Sequence, residues 1–161
     1  MSKRVVTVSA LAGAALLAGA GAYAFAGETG STGPEVTQAS AAYAAPASGK
    51  DGSLTFTARV TDDSGVRGLK VLAWPANLAP APKAEEMTYV EPATCEPSGA
   101  DAARCTYTVK ITAAEAADSP KGAWHVAVLA SAKDGGRTFV PEAADFTVGG
   151  ERQSGVSSSR G

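Results

Sequence analysis

The sequence contains little of what catalysis or metal binding usually requires. Its 161 residues include one histidine, His125, and two cysteines, so a Ser-His-Asp or Cys-His arrangement would depend on His125 alone. The motifs G-x-S-x-G, H-E-x-x-H and Cys-x-x-Cys do not occur, and neither does a glycine-rich phosphate loop. The composition therefore argues against an enzyme and against a bound cofactor.

Positive charge is also scarce and dispersed along the chain. There are 14 Lys and Arg residues against 16 Asp and Glu. Loss of Lys3 and Arg4 with a signal peptide would leave a net charge of about −4. An acidic chain without a basic cluster argues against nucleic acid and anionic membranes as partners.

The N-terminal segment has the layout of a secretory signal. A Lys-Arg pair precedes an apolar run, and Ala24-Phe25-Ala26 or Ala22-Tyr23-Ala24 offers a cleavage site between small residues. The uncharged run is long enough for a membrane anchor, which needs about 20 residues, but its Ala and Gly content favours removal. We therefore predict a signal peptide over 1–26, no stable membrane insertion after cleavage, and a secreted or cell-wall-associated protein.

The rest of the chain predicts one domain between two flexible segments. Residues 27–33 are a Gly-rich lead-in, and residues 149–161 form a Ser/Gly-rich tail that is predicted to be disordered. Residues 34–148 have the size of a single domain, which we expect to be a monomer.

The two cysteines, Cys95 and Cys105, both lie in the exported part and predict one disulfide. The bridge would enclose residues 96–104. Such a loop either staples a hairpin or is displayed to a partner, as in small secreted protease inhibitors. Because the enclosed residues are small and polar and lack an aromatic or aliphatic anchor, the staple is favoured.

Strict alternation of apolar and polar residues predicts three half-buried strands. They lie at 53–60, at 105–112 and around His125, whose own side chain is expected to face outward. The residues predicted to face inward are Leu54, Phe56, Ala58, Val60, Tyr107, Val109, Ile111, Trp124, Val126, Val128 and Ala130.

Weaker patterns add strands at 35–43, 69–74 and 87–95, and a last strand interrupted at Pro141, as expected of an edge or bulge. The run 69–74 is apolar on both faces, so either Leu69, Val71 and Ala73 or Leu72 and Trp74 point inward.

Thr112 and Glu115 form a capping-box pattern, which predicts a short helix over 113–118 that crosses between two sheets. Together these elements predict an all-β fold: an immunoglobulin-like antiparallel β-sandwich of about seven strands with one short helical crossover.

Three segments carry a resemblance to known proteins: DGSLTFTARVTDDSGVRGLKVLAWP, ATCEPSGADAARCTYTVKIT and KGAWHVAVLASAKDGGRTFVPEAADFTV. Over 43–148 the chain resembles a domain-of-unknown-function family of secreted actinobacterial (streptomycete-type) proteins. More loosely it resembles bacterial immunoglobulin-like domains. The resemblance implies a secreted location and an immunoglobulin-like fold, and it implies no activity.

Asp62, Asp63 and Asp134 are the candidates for a cation site. They fall in two turns that meet at one end of an immunoglobulin-type sandwich, where three carboxylates and loop carbonyls could hold calcium. However, Asp-Ser-Gly and Asp-Gly-Gly are ordinary turn sequences, Lys133 and Arg67 would compensate the charge, and a full calcium loop is absent. Turn formation is therefore favoured over a metal.

The sequence has two further candidate surface features. Glu85-Glu86 resembles a glycosidase carboxylate pair, but adjacent carboxylates on a turn are usually solvated charges. Trp74 would form a platform with Tyr89 if it faces outward, although a tryptophan that closes the core is favoured.

The sequence thus predicts a secreted, non-enzymatic module with a binding or structural role, whose partner is an extracellular protein or a cell-wall glycan. The alternative is a protease inhibitor or carbohydrate-binding domain that uses the loops at one end of the sandwich.

Overall fold

The computed structural model describes residues 33–149. The predicted signal peptide and nearly all of the predicted lead-in and tail lie outside the described residues. In this range, seven strands form two antiparallel sheets that pack face to face, and one 3-10 helix and one α-helix lie in the connections between strands. The elements are β1 (Glu35–Ala44), β2 (Gly52–Thr61), β3 (Val66–Pro75), the 3-10 helix (Glu86–Tyr89), β4 (Thr94–Pro97), β5 (Ala102–Ile111), α1 (Ala113–Asp118), β6 (Gly122–Ala132) and β7 (Arg137–Val148).

The strand order identifies the type of sandwich. One sheet has the order β1-β2-β5-β4 and the other β3-β6-β7, which is the strand order of a constant-type immunoglobulin domain. The predicted all-β sandwich is therefore confirmed. Unlike antibody domains, whose disulfide joins the two sheets, this chain has its disulfide between neighbouring strands of one sheet.

The helical crossover forms as predicted. Thr112 caps α1 by accepting from the backbone N–H of Glu115 at 3.2 Å, and the Glu115 carboxylate accepts from the Thr112 N–H at 2.7 Å. The hydrogen bonds that the Glu115 carboxylate accepts from the Thr112 N–H and, at 2.8 Å, from the Thr112 hydroxyl lower the pKa of Glu115. The helix joins β5 in the first sheet to β6 in the second.

The main core lies between the inner faces of the two sheets. The alternation in β2 is confirmed, because Phe56 and Val60 are fully buried while their neighbours are only half-buried. Val126 and Val128 of β6 pack against them from the other sheet. The register of these strands follows from their apolar faces, since a one-residue slip would expose every core side chain.

A second apolar cluster explains why β3 is apolar on both faces. Leu69 and Val71 point into the main core, whereas Leu72 and Trp74 lie on the outer face of the three-stranded sheet. There they pack with Met87, a residue of the 3-10 helix. Each of the two alternatives for 69–74 therefore describes one face of the strand.

Two sequence predictions were wrong. Trp124 is not a core residue: it is half-buried, stacks on Phe146 with ring centroids 5.8 Å apart, and donates to the Pro120 carbonyl at 2.9 Å. The expected strand at 87–95 is replaced by the 3-10 helix and the short β4. Local alternation did not identify the turn because Met87 is buried by distant residues of β3 and β6.

Across the described part of the chain, no helix has both the length and the apolar character that a membrane span requires.

Candidate functional site

An acidic groove lies at one end of the sandwich. The start of β1 and the β2–β3, β4–β5 and β6–β7 turns meet there, as the immunoglobulin-type topology predicts for Asp62, Asp63 and Asp134. The groove is open and has a volume of about 500 Å³. Its lining residues are Gly33, Glu35, Thr61, Asp62, Asp63, Asp101 and Asp134.

Hydrogen bonds within the turns occupy the carboxylates of Asp62 and Asp134. The buried carboxylate of Asp62 accepts from the Ser64 N–H at 2.9 Å and from the Ser64 hydroxyl at 2.6 Å. Asp134 accepts from the Gly136 N–H at 2.9 Å, and its own N–H donates to the Ser64 hydroxyl at 3.2 Å. Gly65 has a φ of +97°, which its lack of a side chain permits. These contacts are those of tight turns.

The positive residues near the turns do not pair with the aspartates. The aliphatic part of the Lys133 side chain covers Gly65, where an added Cβ would lie 3.0 Å from Lys133 Cδ. Within residues 33–149, neither Lys133 nor Arg67 comes within 4.0 Å of a carboxylate. The predicted charge compensation by these two residues therefore does not take the form of ion pairs.

We expect calcium to leave the melting temperature of the protein unchanged. Among the described residues, no group of three or more acidic, His or Cys side chains has the arrangement of a metal site, and calcium needs 6–8 oxygen ligands in general. The measurement is a thermal melt with millimolar calcium and then with EDTA. A calcium-dependent rise of several degrees that EDTA reverses would contradict the assignment of Asp62, Asp63 and Asp134 to turn formation.

His125 lies on the outer face of the three-stranded sheet, as the alternation predicts, but neighbouring side chains cover much of it. Its side chain is 20% exposed, and its ring lies 4.8 Å from the ring of Trp74. Nδ1 is 2.6 Å from the Asp145 carboxylate, and Nε2 is 3.9 Å from the Glu142 carboxylate. The polar contacts of His125 among the described residues are thus with carboxylates, and a Ser-His pair does not form.

A covering segment, residues 76–93, crosses the outer face of the three-stranded sheet between β3 and β4. Its first residue donates to the Ala123 carbonyl at 2.9 Å, and its last, Ala93, donates to the Leu69 carbonyl at 2.7 Å. In the middle, Met87 is fully buried in the second cluster. Backbone hydrogen bonds at both ends and a buried anchor therefore hold the segment in one place.

The covering segment exposes two large apolar side chains, Tyr89 at 91% and Leu78 at 52%. The proposed platform of Trp74 and Tyr89 is not formed, because Trp74 is only 5% exposed and donates to the Pro141 carbonyl at 2.9 Å. The carboxylate of Glu86 accepts from the Lys83 N–H at 2.7 Å. It therefore serves the turn that precedes the 3-10 helix.

The outer face of the four-stranded sheet contains two arginines that sequence reasoning missed. Arg59 of β2 is directly opposite Arg104 of β5 in the antiparallel register. Alternation alone predicts that Arg59 points outward, but only the pairing of β2 with β5 places Arg104 beside it. Hydroxyl side chains surround them on this face: Thr37, Ser40, Ser53, Thr55, Thr57, Thr94, Thr106 and Thr108.

The predicted disulfide is present. Cys95 and Cys105 are bonded at 2.05 Å and are paired directly across β4 and β5. The residues they enclose form a hairpin, whose turn is closed by a 2.9 Å hydrogen bond from the Ser98 N–H to the Ala102 carbonyl. The bridge therefore staples a hairpin, as the sequence favoured.

Comparison with protein-family models identifies a match over residues 36–130. The model is described as a family of unknown function, DUF5707. The matched range covers more than half of the chain, and it includes the covering segment, the disulfide and the paired arginines. A search of curated proteins found no match.

Proposed function

This chain belongs to DUF5707, a family of unknown function, and we propose that it is an exported, non-enzymatic immunoglobulin-like module. We further propose that this module binds a partner protein. Export is supported by the signal-like residues 1–26 and by the resemblance to secreted actinobacterial proteins. The disulfide also supports it, since such bonds persist in oxidising compartments.

The observation that carries the binding role is the exposure of Tyr89 on a fixed segment. Tyrosine is enriched among the residues that dominate binding energy at protein interfaces, and it supplies contact area at a low cost in side-chain entropy. Here the residue lies on the 3-10 helix whose opposite side anchors Met87 in the second cluster. A partner therefore meets a side chain on a preorganised backbone, which lowers the entropy cost of association.

Tyr89→Ala is expected to reduce capture of the partner by at least tenfold, which corresponds to about 1.4 kcal/mol of binding energy. The measurement is quantitative affinity capture from culture medium and from a cell-wall extract, with wild-type and variant proteins immobilised at equal density. Asp118→Ala is the matched control, because Asp118 is exposed in α1 and lies outside the covering segment.

Both variants should melt close to the wild-type temperature, since exposed side chains contribute little to stability. Equal capture by Tyr89→Ala and wild-type protein would exclude the covering segment as the docking surface. Inhibition of a secreted protease that is lost on reduction of the disulfide would instead favour the inhibitor alternative.

A further inference from the structure

We propose that the outer face of the four-stranded sheet is a second binding surface, which takes an anionic polysaccharide across the paired side chains of Arg59 and Arg104. This face belongs to the opposite sheet from the covering segment, so the inference does not rest on the docking role of Tyr89.

The arginine pair is costly unless an anion neutralises it. Side chains directly opposite on antiparallel strands have Cβ atoms about 4.5–5.5 Å apart, and like charges at such positions are destabilising. Among the described residues, neither guanidinium has a hydrogen-bond partner or a carboxylate within 4.0 Å. Even Glu96, the register partner of Arg104 on β4, forms no ion pair with it. Two adjacent guanidiniums are therefore available to an external anion.

The third cation of this face, Lys110, is in a different situation. Its ammonium group lies 2.9 Å from the Asp51 carboxylate, and this hydrogen bond raises the pKa of Lys110. The charge of Lys110 is therefore already paired with that of Asp51. Lys110 lies at the far end of the face, about 20 Å along β5 from Arg104 at 3.4 Å per residue.

Hydroxyl groups occupy the positions next to the arginines. One row across the sheet consists of Ser40, Thr57, Thr106 and Thr94, and a second contains Thr55 beside Thr108. Hydroxyls both donate and accept hydrogen bonds, so these rows match the hydroxyls of a sugar chain. Guanidiniums bind sulfate, phosphate and carboxylate groups in bidentate fashion. The combination fits a polymer that has both hydroxyl and anionic groups.

The acidic groove lies at the same end of the sheet as the arginine pair, since its residues Thr61 and Asp101 are two and three positions from Arg59 and Arg104. The groove carboxylates oppose the approach of a polyanion. Binding therefore depends on direct contacts with the guanidiniums and the hydroxyls of this face. A polysaccharide is favoured over an anionic membrane, because the rows of hydroxyls offer a bilayer no hydrophobic anchor.

The test is binding of the purified full chain to dextran sulfate at low ionic strength, with neutral dextran as the matched polymer. Wild-type protein is expected to bind dextran sulfate in a salt-dependent manner and to bind dextran at least tenfold more weakly. Arg59→Gln/Arg104→Gln should weaken binding to dextran sulfate by about tenfold or more. Lys50→Gln/Arg67→Gln removes the same charge from exposed positions elsewhere and should change affinity by less than about twofold.

Two further measurements separate a specific surface from general charge attraction. Thr57→Val/Thr106→Val keeps the charge and should still weaken binding by about threefold or more, because it removes two hydroxyls. The arginine double variant should melt at or above the wild-type temperature, because it relieves like-charge repulsion. The proposal is overturned if wild-type protein does not bind dextran sulfate, if both charge variants lose affinity equally, or if phosphatidylglycerol vesicles are bound and dextran sulfate is not.

Discussion

Replacing Trp74 with alanine is expected to lower the free energy of unfolding by about 3–5 kcal/mol, the usual cost of deleting a large buried aromatic side chain. Trp74 is 5% exposed and is the largest side chain of the second cluster. Its removal would leave a cavity beneath Met87 and would take away the hydrogen bond to the Pro141 carbonyl. Urea denaturation followed by circular dichroism measures the change.

Two control variants are compared with Trp74→Ala for their free energy of unfolding. Trp74→Phe keeps most of the apolar area but leaves the Pro141 carbonyl without its donor, so a smaller loss of about 1–3 kcal/mol is expected. Tyr89→Ala should change stability by no more than about 0.5 kcal/mol, because Tyr89 is exposed. If Trp74→Ala were as mild as Tyr89→Ala, the second cluster would not hold the covering segment in place.

Removing the disulfide with Cys95→Ala/Cys105→Ala is expected to cost about 3 kcal/mol of stability. In the chain-entropy account, the bridge restricts the unfolded chain by closing a short ring of residues. The bridge also fixes β4, which has only four residues and, among the strands of residues 33–149, pairs only with β5. The measurement is urea denaturation in the presence and absence of dithiothreitol.

The reductant provides the internal control for this variant. Dithiothreitol should bring the wild-type protein down to the stability of the double variant and should leave the double variant itself unchanged. A wild-type protein whose stability is insensitive to reductant while the double variant is destabilised would assign the loss to packing of Cys105, which is fully buried, and not to the bridge.

Much of the fold could be predicted because its signals are local. The apolar alternation of β2 specifies which of its faces is buried, since successive side chains of a strand point to opposite sides. The capping box specifies where α1 begins, because its two hydrogen bonds join residues three positions apart. The disulfide followed from two cysteines in a chain that the sequence predicts to be exported.

The candidate sites were less predictable because they depend on distant residues. The sequence placed Asp62, Asp63 and Asp134 at one end of the sandwich, since the topology of an immunoglobulin-type fold brings those turns together. It could not show that Ser64 donates two hydrogen bonds to the Asp62 carboxylate and accepts one from the Asp134 N–H of the neighbouring turn. It also could not show that Arg59 lies opposite Arg104, because that depends on the register of β2 with β5.

By itself, then, the sequence determined an all-β sandwich, its helical crossover and its disulfide. Tertiary structure alone decided that Trp74 is buried on an outer sheet face, that Met87 anchors the covering segment, and that Arg59 lies beside Arg104. The physical reason is that alternation specifies the face of a strand but not its neighbour. Burial on an outer face and charge pairing across strands depend on which strands pair and on what covers them.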